Sequence, residues 1–247
     1  MEGLLQSLKI PLALYTLTLL SCKTNDSIDT KDVFEKALKT DSLSFYFPAI
    51  LNDTFKRKDP VFQDFIQRWY SSALYSFKEP ILYTKVDSQT VYRLLWLRSF
   101  HQPVCFTIKE YKEGYYFNAK TLDRQPAFYP SITVKENDDQ SGESIFDTTQ
   151  KADHFALINF DKIIKLRLGQ WSEIEGYLDE YDFWNRPALD PLGGAARASD
   201  GADWILEGRK RGKYHFVTRS SPEESMRLLG KYLIKLSGLN IKKRDFY

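Results

Sequence analysis

Histidine and cysteine are scarce in this chain, with three and two residues among 247. Residues so few and so scattered exclude a zinc cage built from those two side chains. No Walker loop, HExxH helix, G-x-S-x-G elbow or CxxC pair occurs, so the common signatures of phosphate binding, zinc hydrolysis, serine hydrolysis and dithiol exchange are missing. Gly193-Gly194 lacks the strand-to-helix setting that a dinucleotide loop requires. No cofactor is implied. Charge of one sign is lacking too. Lys and Arg number 35 against 33 Asp and Glu, a net charge of +2, which gives no electrostatic case for nucleic acid. Long apolar runs are also absent, since none reaches the roughly 20 residues that cross a bilayer as a helix.

What the chain does have is core material. Hydrophobic residues make up 43% and aromatic residues 15%, too much for a disordered chain. No internal repeat divides it. The weakest seams, at 137–144 and 188–202, are polar or Gly/Pro-rich and read as loops inside one domain covering 31–247.

Residues 1–30 stand apart. A short polar start containing Lys9 leads into an apolar run from Ile10 to Leu20, about half a membrane span. Such a run followed by small residues reads as a secretory signal. Leu19-Leu20-Ser21-Cys22 resembles a bacterial lipobox, in which the Cys is acylated and becomes the first mature residue. The departures are Glu2, which offsets Lys9, and Leu20 ahead of Ser21. The reading is therefore a signal peptide over 1–21, a membrane anchor on Cys22 and a polar tether over 22–30. A buried N-terminal helix is the alternative. Cys105, within Val104-Cys105-Phe106, reads as a small buried hydrophobe, with a Cys22–Cys105 disulfide as the exported alternative.

Periodicity supplies the elements. A short helix is expected over Asp32–Leu38. Asp59-Pro60 opens a longer one, with Phe62, Phe65, Ile66, Trp69, Tyr70, Ala73, Leu74 and Phe77 on one stripe. Tyr92–Phe100, Val104–Tyr111 and Tyr115–Leu122 read as an antiparallel meander turning at "HQP" and "KEG". Further strands are expected at Ser131–Lys135, Phe155–Phe160 and Ile163–Leu168. Ser172-x-x-Glu175 reads as a capping box for a helix to about Tyr181. The class is α+β, an antiparallel sheet covered by helices.

The densest stretch, "DGADWILEGRKRGKYHFVTRSSPEE", reads as a hairpin followed by a helix start. A two-residue loop would force Arg211 to positive φ, so the expected loop is Lys210-Arg211-Gly212. That register pairs Glu207 with His215 and Arg209 with Lys213. It gathers Glu207, Arg209, Lys213, His215 and Arg219 on a polar face, behind which Trp204, Leu206, Gly208, Tyr214, Phe216 and Thr218 lie. Ser221 would cap the last helix and Gly238 would end it.

"VYRLLWLRSFHQPVCFTI", "DFW", this stretch and "YLIKLSGL" together resemble a recurrent set of uncharacterised bacterial lipoproteins. In that set a YRFLWLR-like strand precedes a DGxxWxxEGxxxGxYHxxxRxSP-like C-terminal unit. The resemblance spans about residues 90–240 and implies export and lipidation without an activity. Two functions stay open on the sequence. One is a non-catalytic, lipid-anchored envelope protein that binds a protein or other ligand through the five polar residues. The other is a small envelope hydrolase in which Glu207 orients His215 as a general base.

Overall fold

Val91–Arg98 contains no turn former, and its apolar residues run on without alternation; in the computed structural model this strand (β1) lies within the sheet and all of it is buried. The structure describes residues 46–48, 69–85, 88–126, 132–135, 143–146, 156–189 and 201–246. The strand is flanked by β2 (His101–Tyr111) and β7 (Ala202–Lys210), both antiparallel to it. β3 (Gly114–Leu122) and β6 (Ile158–Leu166) extend one side, and β8 (Lys213–Arg219) the other. The six-stranded order is β6-β3-β2-β1-β7-β8. β4 (Ile132–Lys135) and β5 (Glu143–Phe146) form a separate hairpin between β3 and β6 in the chain.

Helices lie on both faces, which explains why β1 does not alternate. On one face, helical residues 69–76 (α1) bring Tyr70, Ala73 and Leu74, with Phe77 just beyond, against Leu95, Leu97, Cys105, Ile205 and Phe216. On the other, α2 (Leu168–Glu180) and α3 (Glu224–Ser237) set Trp171, Ile174, Leu178, Met226, Leu229 and Leu233 against Leu94, Trp96, Phe106 and Leu206. The two helices also touch each other, Tyr177 meeting Tyr232 with ring centroids 5.5 Å apart. This is one α+β domain, as the periodicity indicated.

Several details differ from the sequence reading. The first hairpin turns at Ser99-Phe100, because Arg98 pairs with His101, so "HQP" begins β2. The two strands expected around residue 160 are one, β6. β5 occupies the end of a stretch read as loop. Neither expected capping box forms. α2 begins at Leu168, with the Gln170 side chain accepting the Arg167 N–H at 2.9 Å, because burying Trp171 draws the preceding turn into the helix. α3 begins at Glu224 with no side-chain cap, and Pro222 is buried ahead of it, so Ser221 caps nothing. Gly238 does end α3, its N–H reaching Ile234 O at 3.1 Å.

The largest correction is the C-terminal hairpin. Lys210 pairs with Lys213, so the loop has two residues, Arg211 at φ 52° and Gly212 at φ 76°. A left-handed Arg costs about 1–2 kcal/mol. Against that, a two-residue turn of this kind matches the twist of the strands, and the register it imposes satisfies the interior. A one-residue slip moves every side chain of one strand to the other face of the sheet.

Candidate functional site

That slip separates the five polar residues expected together. Glu207 now pairs with Phe216, Arg209 with Tyr214 and Gly208 with His215. Glu207 and Arg209 face α1, where both are about 1% exposed. Lys213, His215 and Arg219 lie on the opposite face. The Glu207–His215 dyad therefore does not exist, since a sheet stands between its members. Nor is there a shared solvated face. Arg219 is buried, donating to Thr218 O at 2.8 Å and Pro187 O at 3.0 Å, and of the five only Lys213 is exposed.

His215 is half-buried beside Phe183 and Trp184, with centroids 5.2 and 6.4 Å away. Its Nε2 lies 2.9 Å from Arg186 O, an acceptor only, so that nitrogen carries the proton. Burial, with help from Lys213 and Arg219, holds the imidazole below its ordinary pKa. Lys213 reaches over the Trp184 ring at 5.2 Å. His101 begins β2 with Nε2 3.4 Å from Asp245. His154, Cys22, the whole of 1–30, the Asp32–Leu38 helix and the start of the Asp59-Pro60 helix lie outside the described residues.

What Glu207 joins instead is a buried chain of alternating charge. Arg93 on β1 is flanked in register by Thr107 on β2 and Glu207 on β7. Its Nε donates to Glu207 Oε2 at 2.9 Å, its Nη2 donates to the same oxygen, and its Nη1 donates to Pro80 O at 2.8 Å. The Tyr214 hydroxyl donates to Glu207 Oε1 at 2.8 Å. Arg93 Nη1 also lies 3.7 Å from Glu79 Oε2, which accepts from Thr107 at 3.0 Å. Lys120 Nζ completes the chain, donating to Glu79 Oε1 at 2.7 Å and Phe77 O at 3.0 Å. Within this chain of contacts two carboxylates balance two cations.

Local structure delivers Glu79 there. α1 closes with Lys78 at φ 56°, the Lys78 N–H on Tyr75 O and the Glu79 N–H on Leu74 O. This is the bond pair of a Schellman stop, which reverses the chain and turns Glu79 inwards. Lys120 neighbours Cys105 across the β2–β3 ladder, so the basic group arrives from the sheet side.

Burial alone raises the Glu79 carboxyl, but Lys120 and Arg93 outweigh it and hold it below its ordinary value. Burial opposes the charge on Lys120 and Arg93, yet their carboxylate partners hold both above their ordinary values. Glu207 is raised by burial, which Arg93 and the Tyr214 hydroxyl only partly offset. Burial and the neighbouring Glu79 also push the Cys105 thiol up, so it is a poor nucleophile.

A depressed carboxyl stabilises the fold above its unfolded value, here about 4.5, and that contribution is lost as pH falls through the lower folded value. Glu207 acts in the opposite sense and above 4.5, so the two windows are distinct. Glu79→Gln should therefore flatten the loss of stability below about pH 4.5, read from denaturant unfolding across a pH series. An unchanged acid limb would show that the Lys120–Glu79–Arg93 contacts do not hold the charge.

The sequence reading missed Arg93, Glu79, Lys120, Thr107 and Tyr214. A signal was present, because Arg93 interrupts an otherwise apolar strand and a buried charge demands a partner. Among the described residues no group of His, Cys, Asp and Glu could hold a metal. No protein-family model and no curated protein matches the chain.

Proposed function

We propose that this is an exported, lipid-anchored cell-envelope protein that binds a partner through its surface and has no active site of its own around Glu207 and His215. The observation that carries the non-catalytic reading is the placement of Glu207, saturated by Arg93 and Tyr214 on the face turned away from His215. A hydrolase built on that pair would need both groups within reach of one substrate atom. The anchor rests on the apolar run Ile10–Leu20, on Ser21-Cys22 and on the polar stretch after it, together with the resemblance to bacterial lipoproteins. The partner is a protein or another envelope ligand. Recognition falls to the groups that reach solvent, Lys213 with His215 and Trp184, rather than to buried Glu207, Arg209 and Arg219.

Mass spectrometry of the membrane-extracted protein should find residues 1–21 removed and Cys22 acylated. An unmodified Met1 or Lys23 terminus would remove the anchor from the proposal. Cross-linking in intact cells should recover a partner whose yield falls in Lys213→Glu. Hydrolytic activity abolished by His215→Ala would overturn the binding reading.

A further inference from the structure

The sheet has two edges, and among the described residues only one carries a backbone hydrogen bond on its outer side. Along β8, Thr218 N–H donates to Ala188 O at 2.8 Å, and the neighbouring residues Arg186 and Pro187 are held by His215 and Arg219. Along β6, no backbone hydrogen bond to the outer side occurs among the described residues, and most of the strand is exposed or half-buried. An open edge is a template for another strand unless its side chains guard it.

We propose that β6 pairs antiparallel with β6 of a second copy of this chain, with Ile163 on the two-fold axis. A two-fold axis normal to the sheet keeps each face continuous, so odd residues meet odd and even meet even. Centring on Ile163 sets Asp161 opposite the partner's Lys165, and Lys165 opposite the partner's Asp161. Phe160 then meets the partner's Leu166. Centring on Asp161, Lys162 or Lys165 would oppose like charges on the axis. Centring on Ile164 would take Asp161 past the strand end to Arg167. The charge pattern of Ile158–Leu166 is thus complementary to itself in one register lying within the strand.

Three further observations fit. Ile163 is half-buried but packs into neither hydrophobic cluster among the described residues, whereas Phe160 and Ile164 on the alternate face pack into one. Lys162, a residue type that commonly guards an edge, is drawn away to Ser237 O at 3.0 Å. Asp161 is held on its face by Asn118 Nδ2 at 3.1 Å, next to where Lys165 of a partner would come.

The test is analytical ultracentrifugation of the whole chain in detergent, across a concentration series, with circular dichroism to check folding. Wild type should dimerise. Asp161→Lys and Lys165→Asp should each weaken self-association by about tenfold, since each opposes two like-charge pairs. Mixed together, the two variants should associate as well as wild type. The lysine introduced at position 161 of one chain then meets the aspartate introduced at position 165 of the other, and the native Lys165 and Asp161 meet in the second pair. Asp161→Lys brings charge near Lys120, so Ile163→Lys, which meets itself on the axis, provides a further variant expected to stay monomeric. A wild-type chain that stays monomeric throughout overturns the proposal. So does a dimer that Lys165→Asp and Ile163→Lys both leave intact, or a mixture that fails to recover association.

Discussion

Arg93→Met should lower the unfolding free energy by about 3–5 kcal/mol, the usual result of leaving buried charge without its partner. Arg93 is about 1% exposed and carries two bonds to Glu207 and one to Pro80 O. Without it, Glu207 keeps only the Tyr214 hydroxyl, and Glu79 must rely on Lys120 and Thr107. The attraction inside the pair is not itself the large quantity, because much of it offsets desolvation. The double variant Arg93→Met with Glu207→Leu should therefore recover at least half of the loss, as it removes the orphaned carboxylate and leaves Lys120–Glu79 intact. Denaturant unfolding of both variants decides the matter. A single variant costing less than about 1 kcal/mol would mean that water reaches Glu207 and that the network is not an interior lock.

Gly230→Ala should destabilise the protein by about 2–3 kcal/mol, lowering Tm by roughly 5–10 °C. The sign is the point, since Gly to Ala inside a helix ordinarily gains about 1 kcal/mol. Here a Cβ would lie 2.3 Å from Trp204 Cζ3 and 2.6 Å from Cη2. The indole cannot step aside, because Trp96 lies 4.8 Å from it and Phe246 5.3 Å, centroid to centroid. Gly176→Ala on α2 is the control. Beyond its own stretch of helix, no atom of the described residues lies within 4 Å of its would-be Cβ, so that change should follow the ordinary rule and stabilise. If both substitutions raise Tm, α3 sits further from the sheet than these contacts require.

Much of the architecture was legible because long, strongly patterned segments leave little choice. The strands at 91–122, the stripe through Tyr70, Ala73, Leu74 and Phe77, and the stop at Gly238 follow from side-chain periodicity and backbone chemistry. The hairpin shows where such reasoning ends. A rule against left-handed Arg pointed to a three-residue loop, and a one-residue error then placed Glu207 beside His215. The preference was sound for Arg211 alone. It is worth only a kcal/mol or two, and the interior outweighed it by bringing Tyr214 to Glu207 and Phe216 to the cluster beneath α1.

The capping boxes failed for a related reason. Ser172-x-x-Glu175 and Ser221-x-x-Glu224 have the right spacing, but a cap contributes about 1 kcal/mol, less than burying Trp171. Burial on both faces also hid the site. When a strand alternates apolar with polar, its polar face reads as solvent-facing, and the pattern alone puts Glu207 and Arg209 on such a face. In this sheet α1 covers that face, so both side chains are interior, and Glu207 is met there by Arg93 and Tyr214.

The sequence by itself determined the α+β class, the antiparallel meander, the principal helical stripes and a buried Cys105, because each depends on neighbours a few residues apart. Only the tertiary structure decided which strands adjoin, which face Glu207 takes and that Arg93, Glu79, Lys120 and Glu207 neutralise one another. Those outcomes depend on groups up to 128 positions apart in the chain, Glu79 to Glu207, and on a helix covering a face that the local pattern marks as open. Local preferences of about a kcal/mol each cannot outweigh leaving four buried charges without partners.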